Sequence, residues 1–155
     1  MLVWLMGGWW LMVDGFSRLE RMKEIPIKKY VRYLFGISIL VFILNKFYLR
    51  PWVLENELSI PIQIMVLSIP NFIEAIVGTL IATGILLQLR QYFDKTIGDI
   101  KDTYIHLIAA SVVAIYVISQ ELKFHNLGGN NVYDPYDVIA SIIGLLLTLG
   151  LIQAW

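Results

Sequence analysis

The stretch IPIQIMVLSIPNFIEAIVGTLIATGILLQL, Ile60 to Leu89, decides the fold. It carries a single charge, Glu74, in a run longer than the roughly 20 apolar residues that carry a helix across a bilayer core. Pro70 sits inside it, and proline suits the first turn of a helix but removes a backbone hydrogen bond from the interior. The sequence therefore predicts a span that starts near Ser68 and ends at Leu89. Ile60 to Leu67 then becomes an apolar segment lying at or dipping into the membrane interface, with Tyr48 and Trp52 anchored nearby at headgroup level.

The rest of the chain repeats the pattern. Apolar blocks at about Tyr33 to Leu49, Tyr104 to Gln120 and Asp137 to Trp155 are also long enough to span. With 58% hydrophobic residues and a mean hydropathy of +0.71, the reading is an all-α integral membrane protein with four transmembrane helices. It forms one membrane domain over residues 1–155, with the bundle in 33–155. Met1 to Val13 (MLVWLMGGWWLMV) is apolar but short, and it lacks the basic leader and small-residue cleavage pattern of a signal peptide. It reads as a retained interfacial or half-inserted helix, with a trimmed fifth span as the alternative. The absence of cysteine excludes disulfides and thiolate chemistry.

Topology follows from where the basic residues fall. Asp14 to Arg32 holds six (Arg18, Arg21, Lys23, Lys28, Lys29, Arg32), and the next connection holds two, Lys46 and Arg50. Three follow between Arg90 and Thr103 (Arg90, Lys95, Lys101), and one, Lys123, lies in the last connection. High and low counts alternate as the positive-inside rule requires, which places the Asp14 to Arg32 connection and the carboxy terminus in the cytoplasm. The basic stretch is a topology signal with attraction for lipid phosphates; docking of a cytoplasmic partner is the sharper alternative. No nucleic-acid motif accompanies it.

Polar groups within the spans matter because a charge in hydrocarbon persists only with a partner or a wet cavity. Glu74 lies about a turn below the outer end of the second span, three residues after Asn71, and Ala75, Gly78 and Ala82 continue that side. Small residues let helices approach closely, so this face is expected to look into the bundle. Gln120, Glu121, Lys123 and His125 after the third span, and Asp134 and Asp137 before the fourth, belong to the same outer leaflet. Together they suggest a pocket with Asn71 and Glu74 on one wall, Gln120 and Glu121 on another, and Asp134 and Asp137 at the rim. Two roles for Glu74 stay open, a hydrogen bond between helices and a ligand contact. A bound metal is not expected, because no recognised ligand spacing joins these oxygens. His125 reads as an exposed loop residue and His106 as interfacial.

The segment NVYDPYDVIASIIG starts the last helix. Asp134 fits the N-cap, Pro135 the first helical position and Asp137 the third, and both carboxylates meet the positive end of the helix dipole. LGGNN before it supplies a turn, and Ala140 with Gly144 offers a small face for close packing.

The order of features from Gln120 to Gly150 resembles the carboxy-terminal signature of VanZ-like membrane proteins. Gln120 and Glu121 match a Gln/Glu-bearing helix end, Asp134 and Asp137 the aromatic-D-x-x-D helix start, Ser141 a usual asparagine and Gly144 the following glycine. The chain has Asn130 and Asn131 where that family usually has an arginine, and Asn71 and Glu74 where it has a lysine and a histidine. The resemblance implies a four-span bacterial envelope protein of a family linked to lowered sensitivity to lipid-anchored glycopeptide antibiotics.

The function expected is non-enzymatic, with the outer pocket (Asn71, Glu74, Gln120, Glu121, Asp137) engaging a lipid headgroup or lipid-like amphiphile, and no cofactor. Membrane lipids are the expected partners. The alternative is a small scaffold or subunit binding another membrane protein. An intramembrane lipid-modifying enzyme is weaker, since the outward side offers no serine with a histidine base, no HExxH and no phosphate-cradling glycine loop. A transporter would need a repeat that is not evident.

Overall fold

The computed structural model describes residues 29–93, 97–121 and 134–154. Met1 to Val13, Lys123, His125 and the LGGNN turn lie outside them. The protein is an all-α, multi-pass membrane protein, and among the described residues four helices are long and apolar enough to cross a bilayer. Helix α1 (Lys29–Leu44) runs through a π-helical turn (Asn45–Leu49) into α2 (Arg50–Glu55). After a tight connection come α3 (Ile60–Tyr92), α4 (Asp102–Glu121) and α5 (Pro135–Gln153). The basic connection expected to reach Arg32 is already helical at Lys29. The first span, expected to stop at Leu49, continues to Glu55.

Helix α3 is central and packs on α1, α4 and α5. It is one uninterrupted helix of 33 residues, about 50 Å long against a hydrocarbon core of about 30 Å. This corrects the expected break at Ser68: Ile60 to Leu67 is the first part of the span's own helix. The physical reason lies in α1. Pro70 has no N–H for the Val66 carbonyl, which an α-helix would pair with residue 70. Asn45 supplies the missing donor, its Nδ2 giving a hydrogen bond to the Val66 oxygen at 2.9 Å. A side chain from the neighbouring helix thus satisfies the group that proline orphans, as lipid-embedded backbone requires.

The π turn positions that donor and resets the helix beyond it. Val31, Leu34, Val41 and Phe42 pack toward α3, and Ser38 and Asn45 are buried on the same seam. In an unbroken α-helix the inward seam would reach Trp52 two turns, or seven residues, after Asn45. The Arg50 N–H instead reaches back five residues to the Asn45 carbonyl, which adds a residue to the turn. Val53 consequently turns inward at 2% exposure while Trp52 faces out at 56%. Pro51 follows directly after the π turn, where the helix resumes as α2.

The α3–α5 interface is built on small residues. A Cβ added to Gly144 would stand 2.6 Å from the Phe72 carbonyl oxygen and 3.1 Å from the Ala75 Cβ, so only glycine permits this approach. Thr79 and Thr148 are fully buried, and each hydroxyl donates to the carbonyl four residues back, Ala75 and Gly144, at 2.7 Å. That local bond satisfies them in an apolar interior. Ile152 packs with Ile73, Ile76 and Leu80 farther along, so α3 and α5 run in the same direction. Helix α4 is antiparallel to both: Val113 meets Gly78, and Val117 packs with Ala75 and Leu145. Aliphatic side chains such as Ile37, Leu40, Ile115, Ile143 and Leu146 cover the outside. Exposed aromatics stand near both ends, Tyr33 and Tyr104 at one, Tyr48, Trp52 and Tyr136 at the other, as in interfacial belts.

Candidate functional site

The site can be built up from the packed layer of Ala75, Val117 and Leu145. One helical turn toward the Asp134 end means four residues back on α3 and α5 and four forward on α4, because of their opposed directions. Those steps arrive at Asn71, Ser141 and Glu121. Ser141 is fully buried, and Asn71 and Glu121 are half-buried. A further turn out on α5 is Asp137, also half-buried. An apolar layer is therefore overlaid by a polar one in which three helices each contribute a side chain.

Helix α5 begins as its sequence predicts. Asp134 is the N-cap, with Pro135 in the first turn, and its Oδ1 accepts from the Tyr136 N–H at 2.9 Å. The Asp137 N–H donates to the Asp134 carbonyl. Asp134 thus spends one carboxylate oxygen on the helix. Asp137 does not: its Oδ1 is shut off from solvent with no hydrogen-bond partner among the described residues, and so is the Ser141 hydroxyl beneath it. Unsatisfied buried polar atoms are uncommon and ask for an explanation.

The expected site residues divide. Asn71, Glu121 and Asp137 come together as described. The Ala75, Gly78 and Ala82 side of α3 faces the bundle, with Gly78 against Val113 and Ala82 on the Ala75 cluster. Glu74 itself is exposed, which corrects its expected inward placement. At about 100° per residue it lies that far round from Ala75, at the border between the packed face and the outside. Its charge still reaches the site, since Glu121 has Asp137, Glu74 and Asp134 as electrostatic neighbours. Gln120 is exposed. The residue that the pocket reading omitted is Ser141. Its signal was available in the line Asp137, Ser141, Gly144, Thr148, whose spacing of four, three and four marks one helix face. His106, at the opposite end, is half-buried.

Among the described residues no three carboxylate or histidine side chains gather closely enough to hold a metal ion. An apolar cavity of about 310 Å³ opens at the other end of the bundle, between Leu86, Leu89 and Phe93 of the α3 end and Ile100, Ile105 and Ile108. Arg90 borders it, but its guanidinium is engaged by the Asp102 carboxylate and the Ile100 carbonyl. That cavity offers shape without a free polar group, and the layer at the Asp134 end offers unsatisfied polar groups. No protein-family model, curated protein or solved structure matches the chain.

Proposed function

We propose that this chain is a non-enzymatic envelope membrane protein of VanZ-like type, which engages the headgroup of an outer-leaflet lipid or lipid-like amphiphile. The engagement is through the polar layer of Asn71, Glu121, Ser141 and Asp137. The observation that carries the reading is the pair of buried, unpartnered acceptors, Asp137 Oδ1 and Ser141 Oγ, in a layer where three helices converge. The alternation of basic residues along the chain supports an outward orientation of this end, toward the cell exterior. The donor set supports binding over chemistry: carboxylates, an amide and a serine hydroxyl, with the described histidine, His106, at the other end of the bundle. A lipid-anchored glycopeptide is one amphiphile the VanZ-like reading brings in, and lowered sensitivity to it would be the cellular consequence.

The test is retention of amphiphile by the purified protein. Native mass spectrometry after reconstitution with a mixed lipid extract is expected to find bound lipid on the wild type and much less on Asp137→Asn. Equal retention by both overturns the reading. So does a stoichiometric protein partner that is lost on deleting Met1 to Val13 while lipid retention is unaffected by any substitution in the layer.

A further inference from the structure

We infer that the headgroup taken by this layer carries a primary ammonium, whose three N–H donors meet Asp137, Ser141 and Glu121. The inference rests on the proposed amphiphile reading and specifies its chemistry.

Three features point to it. The first is charge: the carboxylates of Asp137, Glu74 and Asp134 are each near enough to act on Glu121. Like charges at the edge of a low-dielectric region repel strongly, so a cation among them is favoured. The second is spread: no three of them close up into a cage for a metal ion among the described residues. A small hard cation needs several oxygens at short range, whereas an ammonium on a flexible amphiphile is satisfied by acceptors set wider apart. The third is hydrogen bonding. Ser141 is 0% exposed with an unpartnered Oγ, and its Cα–Cβ bond tilts toward the start of α5, where Asp137 stands. Asp137 Oδ1 is likewise an unused acceptor. A quaternary ammonium would supply charge but no donor, and a phosphate without an amine would add negative charge to a negative site. A primary ammonium supplies one positive charge and three donors, and charge-assisted bonds of that kind are the strong ones.

The experiment uses the full chain in nanodiscs of phosphatidylcholine doped with phosphatidylethanolamine, its N-methylated and N,N-dimethylated forms, or phosphatidylglycerol. Bound lipid is read by native mass spectrometry. Phosphatidylethanolamine should be retained at least about 10-fold over phosphatidylcholine, with retention falling at each added methyl group. Asp137→Asn should lower it by about 10- to 100-fold. Ser141→Ala, a mild change at a packed position, should lower it less and leave the helical signal intact. An amphiphile with an amino-sugar headgroup, competed against phosphatidylethanolamine, identifies which source of ammonium binds better, and displacement by either supports the inference. If phosphatidylcholine or phosphatidylglycerol is retained in an Asp137-dependent manner with no preference for the amine, the ammonium inference falls and the amphiphile reading stands. If no lipid is retained in an Asp137-dependent manner, both fall. If phosphatidylethanolamine is retained only on Lys123→Ala and not on the wild type, the chain's own ammonium is the occupant, and the inference of an external one is overturned.

Discussion

The hydrogen bond from Asn45 to Val66 is the contact on which the continuity of α3 turns, and a double-mutant cycle with Pro70 isolates it. Asn45→Ala removes the Nδ2 donor from a buried carbonyl that has no other helical partner. Leaving such a group unsatisfied costs about 1–3 kcal/mol in soluble proteins, while interhelical hydrogen bonds measured in a membrane protein average about 0.6 and reach about 1.7. The same substitution also deletes side-chain volume and removes the unpartnered Asn45 Oδ1, so the single-mutant value mixes three effects. Pro70→Ala restores a backbone N–H that can pair with Val66, and in that background the Asn45 amide is redundant. The volume and Oδ1 effects are common to both backgrounds and cancel. A coupling of about 1 kcal/mol is expected, roughly fivefold in the unfolding equilibrium, with Asn45→Ala costing more beside proline than beside alanine. Equilibrium unfolding in mixed micelles, followed by helical circular dichroism on the four proteins of the cycle, gives the number. Equal cost of Asn45→Ala in both backgrounds would refute the account of why α3 survives Pro70.

Three further outcomes follow from helix packing and capping. Gly144→Ala should cost about 1–3 kcal/mol, because its Cβ meets the Phe72 backbone carbonyl, which cannot move aside as a flexible side chain would. Gly84→Ala, in the same unfolding assay, should stabilise by about 0.5–1 kcal/mol, since nothing lies within 4 Å of its added Cβ and helical alanine is favoured over glycine. Asp134→Ala should cost about 1 kcal/mol through loss of the cap, and Asp134→Ser should recover most of it while lowering lipid retention less than Asp137→Asn does. If Asp134→Ser binds no lipid, Asp134 is a ligand contact as well as a cap.

What was legible in the sequence depended on distance along the chain. The start of α5 could be read because an N-cap, a first-turn proline and an acidic first turn are local chemistry, all within Asp134 to Asp137. The close approach at Gly144 was readable as a small-residue face, although its partners Phe72 and Ala75 were not. The fate of Pro70 was illegible for a definite reason. A proline's penalty is local and visible, but the donor that cancels it belongs to Asn45, on another helix and presented by a π turn that has no sequence signature of its own. Glu74 was misplaced by a simpler cause: three residues from Asn71 suggests one face, yet the packed face runs through Asn71, Ala75 and Gly78, and Glu74 falls at its edge.

The correction to α3 also sharpens the electrostatics of the site. Even a helix starting near Ser68, six residues before Glu74, would have held its positive end more than a turn from that carboxylate. The real start, with Ser59 at the N-cap position, leaves Ile60 about 21 Å from Glu74 along the axis. A helix dipole acts within its first turn, so α3 contributes almost nothing to neutralising the layer. The start of α5 favours Asp134 and Asp137, its own first-turn acids, and leaves Glu121 and Glu74 to be balanced by something else. Keeping α3 whole therefore does two things at once. It holds Asn71 in a rigid wall above Ala75, and it keeps the positive end of α3 far from Glu74, so the balancing charge comes from a proton, from the remainder of the chain or from the bound headgroup. The methylation series tests the headgroup and Lys123→Ala tests the chain's own lysine.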